Sequence, residues 1–188
     1  MAFVQVVRRS MRPEEYTDLR AGWLKRILYE SKYEITDIEI TDARQTGENT
    51  YEYCPGGYRR LKKGDIYFTP DGTVFFKAKV TVPKEMQGKE LWLSMWTAAE
   101  IIVKVNGVYV GGMDPNRDRV LLSPYIDSGE LLIEMEGYNR SKPDDERNPD
   151  SMKLKGCRQE FQGLYLATVN QDALSLFYDL QLLLDVSK

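Results

Sequence analysis

The stretch Thr73–Gly112, TVFFKAKVTVPKEMQGKELWLSMWTAAEIIVKVNGVYVGG, decides the fold of this 188-residue chain. Val74, Phe76, Ala78, Val80 and Val82 alternate with Phe75, Lys77, Lys79 and Thr81. That period of two sends one apolar row into a core and one mixed row to the opposite face. Pro83 has no amide to give a ladder, and Gly88 lets the chain turn. Leu91, Leu93 and Met95 resume the alternation, and Ile101, Val103 and Val105 repeat it up to Asn106-Gly107. Asn-Gly between such runs predicts a hairpin, because both central residues of a type I′ turn sit at positive φ. Val108 and Val110 carry the return strand. The stretch reads as the middle of an antiparallel β-sandwich, built to bind or brace.

On the N-terminal side, Pro70-Asp71-Gly72 turns into this run and Ile66–Phe68 predicts a short strand. Thr46–Asp65 is polar and turn-rich, broken firmly at Cys54-Pro55-Gly56-Gly57, and reads as loop. Its basic cluster, Tyr58-Arg59-Arg60-Leu61-Lys62-Lys63, could meet phosphate, but nothing else in the chain supports a basic surface, so a solvated loop end is expected. Ile35, Ile38 and Ile40 suggest a strand. Pro13 to about Lys32 predicts a helix, with Pro13 at the first helical position and Glu14 and Glu15 at its positive end. Tyr16, Leu19, Trp23, Leu24, Ile27 and Leu28 form one apolar stripe, so Trp23 is expected in a core rather than as a sugar platform.

On the C-terminal side a glycine-opened loop, Gly111–Arg117, precedes a brief strand at Val120–Leu122. Leu131, Ile133 and Met135 alternate with Leu132, Glu134 and Glu136, and Phe161, Leu164 and Leu166 suggest a last strand. Asn139–Gly156 is a polar excursion of a length that is often functional. Asn170 or Asp172 can cap a final helix whose clean stripe is Leu174, Phe177, Leu180 and Leu184. Leu176, Leu182 and Leu183 lie off that stripe, and a helix apolar nearly all round needs cover on more than one side. The expected division is a helical or extended segment over 1–45 packed on the sandwich, the sandwich over 46–169, and a C-terminal helix over 170–188.

Twenty-six Lys and Arg against 29 Asp and Glu give a net charge of −3, which argues against nucleic acid or an anionic membrane as the general partner. No apolar run approaches a membrane span, and the N-terminal MAFVQVVRRS reverses the order of a secretory signal, so a cytoplasmic location is expected. The absence of histidine removes Ser-His-Asp and Cys-His catalysis and most catalytic zinc sites. Cys54 and Cys157 match no zinc spacing and are expected to be free thiols. No cofactor or metal is expected in this chain. Asp144, Asp145, Glu146 and Asp150 could gather Ca²⁺, but they lack the alternating ligand spacing of a calcium loop.

The order of VPKEMQGKELWL, VKVNGVYVGGMDPNR, EMEGYNR and NQDALSLFYDLQLLLD resembles the N-terminal, non-catalytic region of the family 38 α-mannosidases, over about Asp71–Asp185. The resemblance implies a galactose-binding-like jelly-roll β-sandwich with a helix at each end. It also implies a following catalytic domain, with its own zinc and an aspartate nucleophile, that would be the partner of this chain. No catalytic residue carries over to the residues present here.

If the sandwich touches sugar, aromatic faces should stack on pyranose rings while polar groups take hydroxyls. The candidates are Trp92, Trp96, Tyr109, Asp114, Asn116 and Arg117. The two tryptophans are expected in the core, and the three polar residues are expected to brace their loop. Glu134 and Glu136 lie two apart on one strand, where they stand in parallel rather than flanking a sugar as a glycosidase pair must. Phe177, Leu180 and Leu184 are the candidates for contact with the next domain. Three roles remain open: an ancillary domain of an α-mannosidase-like hydrolase with mannose-containing glycans as candidate ligands, an autonomous carbohydrate-binding module, or a protein-interaction module using the last helix. Enzymatic activity by this chain alone is not expected.

Overall fold

A computed structural model describes residues 12–67, 72–126, 129–138 and 159–186. The contacts divide the chain into two compact units, Met1–Glu30 with Val169–Lys188, and Ser31–Thr168. The larger unit is a mainly antiparallel β-sandwich, as the alternation in Thr73–Gly112 predicts. Its strands are β1 (Tyr29–Ile35), β2 (Ile38–Gly47), β3 (Thr50–Tyr53), β4 (Arg59–Arg60), β5 (Ile66–Tyr67), β6 (Thr73–Thr81) and β7 (Leu91–Met95). They continue as β8 (Glu100–Val105), β9 (Val108–Met113), β10 (Arg119–Leu121), β11 (Glu130–Tyr138), β12 (Gln159–Glu160) and β13 (Leu164–Val169). One sheet has the order β1-β13-β7-β10 and the other β3-β2-β6-β11-β8-β9, with β4 beside β2; β5 pairs with β12. From β6 onward the chain crosses repeatedly between the sheets, so each delivers an apolar row to the same interior.

That interior joins Val74, Phe76, Val103, Ile133 and Met135 of the larger sheet to Leu91, Leu93, Met95, Leu164 and Leu166 of the smaller. Tyr67 fills the space beside them, its ring edge-on to Phe76 at 5.7 Å and to Phe161 at 6.1 Å. Burying one such side chain stabilises the fold by about 1.5–3 kcal/mol before entropy is counted. The hairpin forms at Asn106 (φ 49°) and Gly107 (φ 82°). The Asn106 amide donates to the Leu132 carbonyl at 2.8 Å, and its side-chain oxygen accepts from the Leu132 N–H at 2.9 Å. The turn is thereby tied to β11.

The sandwich begins well before residue 46. β1 and β2 are integral strands, because Ile35, Ile38 and Ile40 enter the core, the last two opposite Ala78 and Phe76 of β6. Residues 46–65 are not all loop: Asn49, at φ 52°, turns the chain so that Tyr53, Glu52 and Tyr51 pair back onto Ala43, Arg44 and Gln45. Arg59 and Arg60 then pair with Ile40 and Glu39.

In the smaller unit, α1 (Pro13–Ile27) and α2 (Gln171–Val186) pack on each other. The first helix ends earlier than expected, since the chain passes into β1 at Tyr29. Asn170 caps α2, its side-chain oxygen accepting from the Ala173 N–H at 3.0 Å, while its own amide donates to the Leu28 carbonyl at 2.8 Å. Ala21 and Leu28 of the α1 segment are buried, as are Ala173, Leu174 and Phe177 of α2. Tyr16, Leu19, Trp23 and Ile27 are exposed; Trp23, expected in a core, keeps 55% of its surface in water. The helix buries its small-residue side because Ala21 permits close approach, and the broad aromatic stripe faces out. No helix among the described residues is long and apolar enough to cross a membrane. The acidic group at Asp144–Asp150, and Cys157, lie outside the described residues.

Burial pushes the Tyr67 phenol up to about 12, against a small opposing effect of its hydrogen bond with Thr97. A raised pKa means that the neutral phenol stabilises the fold fully below pH 10 and that this contribution is lost as pH rises from 10 through 12. Urea midpoints measured from about pH 9 to about pH 11.5 should fall, with this residue contributing on the order of 2 kcal/mol. Tyr67→Phe should flatten that fall; an unchanged slope would refute the assignment.

Candidate functional site

The outward face of the larger sheet carries a cleft of about 240 Å³. The same alternation that buries Phe76 and Met135 turns Phe75 and Lys77 of β6, Glu134 and Glu136 of β11, and Ile102 and Lys104 of β8 outward into it. Register sets Glu134 opposite Lys77 on one side and Lys104 on the other, and Glu136 opposite Phe75 and Ile102. Tyr53 from β3, Tyr58 from the following turn and Tyr109 from β9 complete the wall.

The rings and charges hold one another in place. Tyr51 and Tyr53 pack on Phe75 with centroids 4.9 and 5.5 Å away. The Lys77 ammonium lies 4.7 Å from the Tyr58 centroid and that of Lys104 lies 4.3 Å from Tyr109. Such contacts order long side chains that would otherwise be mobile. The Tyr51 hydroxyl donates to the Glu136 carboxylate. This bond, then burial and the carboxylate's charge, push the Tyr51 phenol up to about 12. Burial raises Tyr58 while the charge of Lys77 opposes it, and hydrogen bonding to the Tyr109 hydroxyl raises Lys104. Thr41, opposite Phe75 in register, is buried with its hydroxyl unpartnered among the described residues. The arrangement offers flat apolar faces beside fixed donors and acceptors, the chemistry of a polyol site. Glu134 and Glu136 rise side by side from one strand, so they do not flank a bond as a glycosidase pair does.

Of the residues singled out from sequence, Tyr109 lies in this cleft and is 63% exposed. Asp114 and Arg117 line an adjoining depression of about 310 Å³ that shares Ile102 and Glu136 with it. Asp114 braces its turn as expected: its carboxylate accepts from the amides of Asn116 at 2.7 Å and Arg117 at 3.0 Å. The Arg117 guanidinium stays mostly in solvent, 3.8 Å from that carboxylate, and Asn116 is exposed at the turn. The tryptophans belong elsewhere, with β7 of the smaller sheet. Trp92 is half-buried and donates its indole N–H to Glu90 at 2.9 Å. Trp96, expected in the core, is 49% exposed, because the ladder stops at Met95.

On α2, Phe177 turns inward beneath the Lys25 ammonium, 5.4 Å from its centroid. Leu180 and Leu184 are half-buried, while Leu176, Leu182, Leu183 and Val186 are exposed. Sequence reasoning missed Tyr51, Tyr53, Tyr58, Phe75, Lys77 and Lys104. The alternation Thr50-Tyr51-Glu52-Tyr53 directly after Gly47-Glu48-Asn49 was the available signal. Cys54 is a free, exposed thiol, and no group of three metal-ligating side chains forms among the described residues.

No protein-family model and no curated protein matches the chain. Among solved structures it is similar to a Bacteroides fragilis protein that carries the name β-galactosidase, with TM-score 0.50 and 15% identity over 77% of this chain and 24% of that one. It is similar to the β-glucuronidase of Ruminococcus gnavus in complex with uronic deoxynojirimycin, with TM-score 0.48 and 11% identity over 75% of this chain and 29% of that one. A calcium-binding mutant of Bacteroides uniformis β-glucuronidase 2 gives TM-score 0.46 and 16% identity, over 73% of this chain and 18% of that one. The chain spans less than a third of each of these proteins, and at such identities the likeness to the first is one of fold. None of the three is named an α-mannosidase.

The Tyr51–Glu136 bond can be read directly by ultraviolet titration. Two phenols, those of Tyr51 and Tyr67, should ionise near 12 in the native protein, and Glu136→Gln should return Tyr51 alone toward the ordinary value near 10 by removing its charged acceptor. A titration curve identical in the two proteins would count against the bond.

Proposed function

We propose that this chain is the ancillary β-sandwich of a longer glycoside hydrolase and that the tyrosine-lined cleft of its larger sheet contacts carbohydrate. The cleft is the observation that carries the reading: three partly exposed tyrosine rings and ordered Lys and Glu side chains converge on one open sheet face. Exposed rings add little to a fold, whereas a pyranose presents an apolar C–H face that the negative face of an aromatic ring attracts. The Bacteroides fragilis protein similar in fold carries the name of a glycoside hydrolase, and the match covers 24% of its length, which supports an ancillary role within a larger polypeptide. The order of motifs that resembles family 38 favours an α-mannosidase-like parent, whose zinc and nucleophile would sit in its own catalytic domain. The exposed Leu176, Leu182, Leu183 and Val186 of α2 supply apolar surface for contact with that remainder.

Calorimetric titration of the protein with manno- and galacto-oligosaccharides tests the reading. Saturable binding is expected, weakened about tenfold, or about 1.4 kcal/mol, by Tyr109→Ala. Tyr109 is exposed, so circular dichroism and the thermal midpoint should not move. Nitrophenyl mannoside should not be hydrolysed, with or without added Zn²⁺. Tight binding to the isolated chain would favour an autonomous carbohydrate-binding module over a domain that acts only beside its catalytic partner. No binding to any sugar would overturn the carbohydrate role.

A further inference from the structure

The cleft does not end at its tyrosines. It shares Ile102 and Glu136 with the depression at Asp114 and Arg117, and on its other side it shares Lys77 and Glu134 with a third hollow that reaches Asp37 and Arg60. The three run together obliquely: the third hollow continues the cleft across β6, β2 and β4, and the depression continues it along β8 and β11 toward Glu100 and Tyr138. Beneath the cleft and the third hollow, register lays one transverse row, Tyr109–Lys104–Glu134–Lys77–Glu39–Arg60, one residue from each of six neighbouring strands. At ~4.8 Å between strands this row is about 24 Å long, room for about four or five pyranose units laid end to end.

Charge along the row alternates from Lys104 to Arg60. The three hollows together hold five basic and six acidic side chains, so no stretch presents a field of one sign. A polyanionic chain would lose as much at the carboxylates as it gained at the lysines. A neutral polyol can use both, donating hydroxyl protons to Glu134 and accepting from Lys77 or Lys104.

Building on the carbohydrate role proposed above, we infer that this face is an extended trough for a neutral oligosaccharide of about four or more units lying obliquely across the strands. The tyrosines form its centre, and Arg60 and Arg117 stand at its two ends.

The test is a length series on the folded protein: neutral manno- and cello-oligosaccharides from one to six units, with oligogalacturonates as the anionic counterpart. Affinity should climb at least about tenfold between the disaccharide and the pentasaccharide and level off beyond it, while oligogalacturonates of equal length bind no tighter. Arg60→Ala and Arg117→Ala should each shrink the gain from disaccharide to pentasaccharide by about threefold or more. Both side chains are largely solvated, and unchanged thermal midpoints would confirm that the variants fold. Affinity that levels off at the disaccharide, with both end variants silent, would overturn the trough and leave the local cleft standing. Preference for the oligogalacturonate would overturn its neutral specificity. Absence of binding at every length would remove the carbohydrate role itself.

Discussion

Nine consecutive residue pairs, from Thr73 opposite Tyr138 to Thr81 opposite Glu130, join β6 to β11 at the centre of the larger sheet. On one side of this seam Val74, Phe76, Ala78 and Val80 meet Gly137, Met135, Ile133 and Leu131, all buried. On the other, Phe75 and Lys77 meet Glu136 and Glu134. Because the side-chain period is two, a slip of one residue would put Phe76 and Ile133 in water and Lys77 and Glu134 in the core. Burying unpaired charge costs several kcal/mol, so the apolar row enforces the register and the register aligns the site. β2 and β8 take their positions from these two strands, and the transverse row of the outer face is a by-product of the core.

The polar groups on that face answer one another without closing the site. Lys77 and Lys104 lean on tyrosine rings, and Tyr51 holds Glu136. Exposed pairs of this kind contribute little to stability, usually under about 1 kcal/mol. Their effect is on freedom: side chains already held in place lose less entropy when a ligand arrives. The same ordering argues against catalysis by Glu134 and Glu136. Both carboxylates rise from one strand and face the same way, and a water-activating or nucleophilic carboxylate must approach the sugar from the side opposite the acid.

Alternation told most of the fold in advance, because apolar residues at period two leave few other structures open. It was silent on which strands become neighbours, and the cleft depends on that. Tyr51, Tyr53 and Tyr58 come from a stretch whose Pro55-Gly56-Gly57 reads as loop, and they reach the site only because β3 and β4 pair onto β2 beside β6. The bracing role of Asp114 was legible, since an aspartate two residues before a turn amide has few better uses. Trp23 was misread for a physical reason as well. A helical stripe shows how wide the apolar face is, not whether anything lies opposite it, and the side that α1 buries is the one where Ala21 lets another helix come close.

Tyr109 shows how far such reasoning reaches and where it stops. Tyr109 and Met113 are four apart, so strict alternation would set both on one face of the sheet. The structure puts Tyr109 outward against Lys104 and Met113 in the core against Ile101. The shift occurs between Val103 and Lys104, where Val103 pairs with Gly111 and Val110 becomes the extra residue of a bulge. Gly111 takes φ 149°, and a Cβ there would come within 2.7 Å of the Val120 side chain. A Cβ at Gly112 would meet the Ile101 carbonyl oxygen at 2.9 Å. Two adjacent glycines therefore let one short strand send an aromatic ring to the solvent face and, four residues on, an apolar anchor to the interior. The pair Gly111-Gly112 thus does for the site what Asn106-Gly107 does for the hairpin, fixing by backbone geometry a side-chain direction that hydrophobic pattern alone would assign to the wrong face.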